Sequence, residues 1–97
     1  MNPVIISAIS DKQCLSFSYD GHQRIVEPHA YGITKNGNEI LRAYQVQGGH
    51  VSYHSKNWHI FSLSKIKYLA LSGMNFSGAR QGYKRGDGAM SRIYEEL

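Results

Sequence analysis

Pro28 stands inside HQRIVEPHAYGIT, a run whose apolar, aromatic and β-branched residues otherwise read as one long strand. Proline has no amide hydrogen to give a sheet ladder, so a strand that carries one lies at an edge there, or is bent or bulged. Gly32, close by, would ease a sharp bend. The combination suits a long, strongly curved strand of a small barrel. The run leads through Lys35-Asn36-Gly37-Asn38, where Asn-Gly accommodates the positive φ of a type I′ turn, into a third strand, EILRAYQV. The hairpin from Arg24 to Tyr44 holds the chain's densest mixture of polar and aromatic groups: Arg24, Glu27, His29, Tyr31, Arg42 and Tyr44. Such groups are costly to bury without partners, so their placement in strands points to a contact surface.

The segments on either side complete a β-rich plan. Asn2-Pro3 reads as a helix cap and first helical position, since the amide that proline lacks would be unpaired there anyway. Val4, Ile5, Ala8 and Ile9 follow at helical spacing, predicting a short amphipathic helix that ends near Gln13. CLSFSYD then alternates, with Leu15, Phe17 and Tyr19 on one face, and Asp20-Gly21 turns it into the proline-bearing strand. In the third strand Leu41 and Ala43 share one face, and Ile40, Arg42, Tyr44 and Val46 the other. Gly48 and Gly49 open a polar loop, HVSYHSKN, expected to be the most mobile segment. WHIFSLS makes a fourth strand and KIKYLALS a fifth, after a turn near Ser64. Beyond Gly73 the chain becomes a glycine-rich, basic arm, and Met90, Ile93, Tyr94 and Leu97 predict a short helix within Asp87–Leu97. The expected architecture is mainly β: a five-stranded Sm-like or SH3-like barrel with its N-terminal helix over residues 1–76, and a C-terminal arm with a short helix packed on it over 77–97. An open α+β sheet is the alternative.

Ninety-seven residues without a long polar tract make one domain with one small core. A single cysteine, Cys14, rules out an internal disulfide framework and points to the cytoplasm; it is expected to be a small half-buried residue at a strand start. The opening MNPVIISAIS has neither a basic region nor a long apolar run, so it does not read as a signal peptide. Nothing approaches the roughly 18 apolar residues of a membrane span. His50, His54 and His59 match no established zinc spacing, and no nucleophilic or two-carboxylate constellation is recognisable, so neither a metal, a cofactor nor catalysis is expected. A net charge of +4 and a pI near 9.3 fit a polyanionic partner, although solubility alone would also account for them.

Taken in order, these motifs resemble the WYL domain family. The beginning carries Ala8, Ile9, Leu15, Phe17 and Tyr19; R-x-V-x-PH-x-Y-G follows over Arg24 to Gly32, then a glycine turn and L-x-A-Y at Leu41, Ala43 and Tyr44. Trp58, Phe61, Leu63 and Ile66, and then Asn75-Phe76, continue the pattern, so the resemblance covers roughly residues 5–76. The tail looks like that of small stand-alone members. The resemblance implies an Sm-like barrel used as a ligand-sensing or nucleic-acid-binding module, found in bacterial transcriptional regulators and as an accessory to CRISPR systems, and not catalytic. The family's naming triplet falls on Glu39-Ile40-Leu41, its Arg-x-Phe on His59-Ile60-Phe61 and its Asp-Arg-Ile on Ser64-Lys65-Ile66. A histidine and a lysine therefore stand where bidentate arginines would be.

The candidate binding face comprises Arg24, His29, Tyr31, Arg42, Tyr44, His59 and Lys65, groups able to bind a phosphate and stack a base. Structural roles compete: a cross-strand ion pair of Arg42 with Glu27 or Glu39, and backbone bonds that satisfy His29. Trp58 reads as a core or rim residue, and Arg80, Lys84 and Arg85 as a small basic cluster in the arm. Two functions are expected to compete. One is a regulatory module binding a nucleotide or single-stranded nucleic acid; the other is a protein-interaction or oligomerisation module serving a larger bacterial regulatory or defence system.

Overall fold

The first turn forms as Asn2-Pro3 predicts. In the computed structural model, which describes residues 1–48 and 57–97, α1 spans Pro3–Ser10 and the Asn2 side chain accepts hydrogen bonds from the Val4 and Ile5 amides. The helix stops short of Gln13 because Lys12 adopts a left-handed φ of 54°. Ile5, Ala8 and Ile9 are buried, whereas Val4 is exposed. Six antiparallel strands follow: β1 (Gln13–Tyr19), β2 (His22–Ile33), β3 (Glu39–Gly48), β4 (Asn57–Ser62), β5 (Lys67–Asn75) and β6 (Arg92–Glu96). A 3-10 turn at Leu63–Lys65 joins β4 to β5. Apart from Asn57, the loop expected to be most mobile, with His50 and His54, lies outside the described residues.

All six strands belong to one sheet, ordered β4-β3-β2-β1-β5 with β6 also on β2. Among the described residues the sheet is not closed: a mainly β, six-stranded antiparallel sheet stands where a five-stranded barrel was expected, and the barrel is not confirmed. β2 is its spine. It pairs with β3 along most of its length, with β1 over His22–Val26 and with β6 over Ala30–Ile33. Pro28 falls between the β1 and β6 segments, beside a register shift at His29, so its missing amide deprives neither neighbour of a ladder bond.

Gly32 has a different role from the expected hinge. A Cβ there would run into the Arg92 carbonyl and come within 2.9 Å of the Met90 sulfur and 3.1 Å of the Ile93 Cα. Glycine allows β6 to lie directly over β2.

The C-terminal segment is a strand, not the predicted helix. Ile93 packs with Ala30, Ile40 and Met90, while its neighbour Tyr94 joins the main core and meets the Tyr31 ring edge-on at 5.1 Å. Adjacent residues that serve opposite faces need a period of two. The half of β2 left unpaired by β1 supplies the edge that satisfies the backbone. The turns also resolve differently. Asp20 and Gly21 both have positive φ, as a type I′ turn requires. At the next hairpin only Gly37 does; the Gly37 amide bonds to the Thr34 carbonyl and the Thr34 amide to the Asn38 carbonyl. That loop is a type I turn closed by a left-handed glycine rather than the expected type I′ turn.

The main core gathers Ile5, Ile9, Leu15, Phe17, Val26, Tyr31, Leu41 and Phe61 between α1 and the sheet. Cys14 is fully buried, and burial raises its thiol pKa, so it packs as a small apolar residue.

Candidate functional site

The seven candidate residues do not form one face. Arg24, His59 and Lys65 gather around Tyr19 and Phe61. Arg24 is 7% exposed, donates to Gln45 Oε1 at 3.1 Å and to the Tyr19 carbonyl at 3.2 Å, and its guanidinium lies 5.3 Å from the Tyr19 ring centre. Arg24 Nε and His59 Nε2 are buried and find no hydrogen-bond partner among the described residues. Burial and the nearby Arg24 charge lower the His59 pKa, so the ring is neutral at pH 7. Lys65 lies outside, 3.0 Å from Asp20 and over the Tyr19 ring at 5.0 Å.

Tyr31 stands apart from both groups. Fully buried, it accepts a bond from the Asn2 amide at 2.8 Å and donates one to Glu39, fastening the start of α1 to the sheet. Burial and the Glu39 carboxylate push its phenol up to about 12.

His29, Arg42 and Tyr44 come together under the arm. His29 is fully buried; its Nδ1–H donates to the Glu27 carbonyl at 2.8 Å and its Nε2 accepts from the Arg80 amide at 3.0 Å. This pair of bonds fixes one neutral tautomer. Trp58, Phe76 and Tyr83 surround the ring at centroid distances of 4.7, 5.7 and 5.1 Å. Glu27, itself buried, receives Arg80 bidentately at 2.8 and 3.1 Å, and the Arg80 guanidinium covers Tyr44 at 4.5 Å. Arg42 pairs with Asp87 through bonds of 2.7 and 3.3 Å, and this contact lowers the Asp87 pKa. The ion pair read for Arg42 thus exists, but its partner comes from the arm rather than from Glu27 or Glu39.

Between the arm and the β3–β4 face lies a half-open cleft of ≈ 450 Å³, lined by Arg42, Trp58, Gly82, Tyr83, Lys84, Arg85, Gly86, Asp87 and Gly88. The Trp58 and Tyr83 rings lie nearly parallel, 23° apart, with centroids at 6.2 Å. The Trp58 indole donates to the Gln81 carbonyl at 3.3 Å, and the Tyr83 hydroxyl to the carbonyl of His29 at 3.3 Å. Three cations face one carboxylate in the lining, and Arg85 is 3.2 Å from Glu96 outside it. Of the residues singled out from sequence, only Arg42 of the seven candidates lines this cleft. Lys84 and Arg85 were visible as a basic cluster. Trp58 and Tyr83 were not identified as site residues, although their place beside a glycine-rich basic segment was the available signal. Among the described residues no group of three or more histidine, cysteine, aspartate or glutamate side chains could hold a metal ion, and no helix is long and apolar enough to cross a membrane. Comparison with protein-family models, with curated proteins and with solved structures finds no match.

Proposed function

We propose that this chain is a non-catalytic ligand-binding module of the WYL type, built on an Sm-like strand plan, and that it takes a nucleotide in the cleft beneath the arm. The observation that carries this reading is the company of Arg42, Lys84 and Arg85 with two nearly parallel aromatic rings in one cleft. Guanidinium and ammonium groups suit phosphate oxygens, and an indole edge or phenol face suits a base. The cleft volume, ≈ 450 Å³, lies within the range of small-ligand sites. Binding of this kind needs no reacting group.

Thermal-shift titration with nucleoside mono-, di- and triphosphates tests the proposal. A ligand held only by the folded state stabilises it by about 2.7 kcal/mol at a hundred times its Kd. The expected result is a rise in melting temperature that weakens with added salt and is lost when Lys84 and Arg85 are both changed to Ala. Indifference to every nucleotide at millimolar concentration, or a shift that survives the double change, would overturn it.

A further inference from the structure

Tyr68 is the residue that the fold itself does not account for. Three non-glycine residues among those described have positive φ, and two of them have a local reason: Lys12 ends α1, and Asp20 makes the β1–β2 turn. Tyr68, at φ 60°, lies inside β5. Three steps along β5, from Lys67 to Ala70, face only two along β1, from Ser18 to Ser16, so Tyr68 sits in a bulge. Bulges with a left-handed residue usually place glycine there, because a side chain crowds its own backbone. Here the position holds a large aromatic residue that is 84% exposed. Burial therefore gives no return for the strained backbone. An outlier of this kind, held by the structure around it, points to use of the side chain in contact with something else.

Its surroundings indicate what that is. Tyr68 borders a second cleft of ≈ 460 Å³, separate from the one under the arm, with Lys65, Lys67, Asp20, Ser18 and Ser64 in its lining. Lys65 is tied to Asp20 at 3.0 Å, which neutralises the one carboxylate, and Lys67 stands exposed next to the ring. Leu71 and Met74 on the same strand are 48% and 42% exposed. Strand addition by a protein partner fits poorly, because a second irregularity between Leu71 and Asn75, with Gly73 at φ 88°, leaves only a short regular edge.

We propose that Tyr68, with Lys67, is a stacking platform for single-stranded nucleic acid, one base lying on the exposed ring and its phosphate against the Lys67 ammonium group. It is a second site that does not depend on the cleft beneath the arm. The two are tested apart: free nucleotides report on the arm cleft, and oligonucleotides on Tyr68.

The experiment is fluorescence anisotropy with fluorescein-labelled ten-residue oligo-dT and oligo-rU. Tyr68→Gly and Tyr68→Asn, both suited to the left-handed backbone, should weaken binding about tenfold or more. Both should leave the melting temperature unchanged or a few degrees higher, as release of strain requires. Tyr68→Trp should retain binding. Changing Lys67 to Ala should reduce the salt dependence by about one unit of slope. Wild-type affinity in Tyr68→Gly, or no oligonucleotide binding by the wild type, would refute the platform. Self-association in sedimentation velocity that Tyr68→Gly abolishes, without oligonucleotide binding, would assign the surface to a second copy and equally refute it. Loss of the nucleotide response in the Lys84/Arg85 variant leaves these readings untouched.

Discussion

His29 shows how one side chain can hold the arm without carrying a charge. Its two ring nitrogens bridge the Glu27 carbonyl on β2 and the Arg80 amide of the arm. A proton added at Nε2 would turn that acceptor into a donor facing another donor. Burial, the dominant cause, lowers the pKa below the ordinary 6.5, and the bond to the Glu27 carbonyl, the Glu27 charge and the Arg80 charge adjust it. The unfolded chain therefore binds the proton first as pH falls. This contribution to stability is complete above about pH 6.5 and declines as pH drops through 6.5 toward the lowered value. His59, lowered as well, acts in the same interval, so the global melting curve mixes the two. The local readout is hydrogen exchange. The protection factor of the Arg80 amide should fall between pH 7.5 and pH 5.5, and in His29→Gln it should be low and independent of pH over that range. A protection factor in the wild type that stays constant to pH 5.5 would show that His29 does not latch the arm.

At the scale of elements, β6 is the piece whose placement depends most on one atom that is absent. Gly32→Ala would put a methyl group against the backbone of Arg92 and Ile93, which cannot yield unless β6 lifts from β2. Overpacking of this kind costs about 1–3 kcal/mol. The expected outcome is a lower urea midpoint together with faster amide exchange in Arg92–Glu96; loss of less than about 0.5 kcal/mol with unchanged exchange would mean β6 is not seated on Gly32. This same element shows what the sequence could and could not disclose. Helix and strand spacings cannot be told apart over so few residues, and Met90, Ile93, Tyr94 and Leu97 satisfied the helical one only when the open edge of β2 was left out of account. Where the determinant is local, it is legible in the chain: Asn2-Pro3 starts the helix, period two marks β1, and Asp20-Gly21 turns the chain. The arm cleft was less legible because its bonds are remote. Arg80 finds Glu27 across 53 residues and Asp87 finds Arg42 across 45, and neither spacing leaves a trace in local pattern. Arg24 and Tyr31 looked like surface groups for the same reason: their partners, Gln45 and Glu39, become neighbours only once β2 and β3 pair.

Across the whole molecule, the arm is stitched into the sheet rather than laid upon it. Residues after β5 supply β6, the Arg80–Glu27 and Asp87–Arg42 ion pairs, and Tyr83 and Met90 for the packing around Ala30 and Ile40. β6 pairs with the same strand that carries β1 and β3, so it cannot leave without exposing the most buried stretch of the chain, Val26–Gly32. A lid that opens independently would have a separate stability; an arm integrated in this way must unfold with the sheet. The chain's single tryptophan makes the distinction measurable. Trp58 contacts His29 and Tyr83 and donates to Gln81, so its fluorescence follows the arm, whereas far-UV circular dichroism follows the strands. In urea the two signals should trace one transition with the same midpoint and slope. Removal of residues 77–97 should then leave a chain that does not fold cooperatively, because it strips the cover from His29, Glu27 and Ala30 together. A tryptophan transition well below the circular dichroism midpoint, or cooperative unfolding of the shortened chain, would show the arm to be a separable flap. In that case the cleft would open by local motion, and nucleotide binding would raise the midpoint of the tryptophan transition alone.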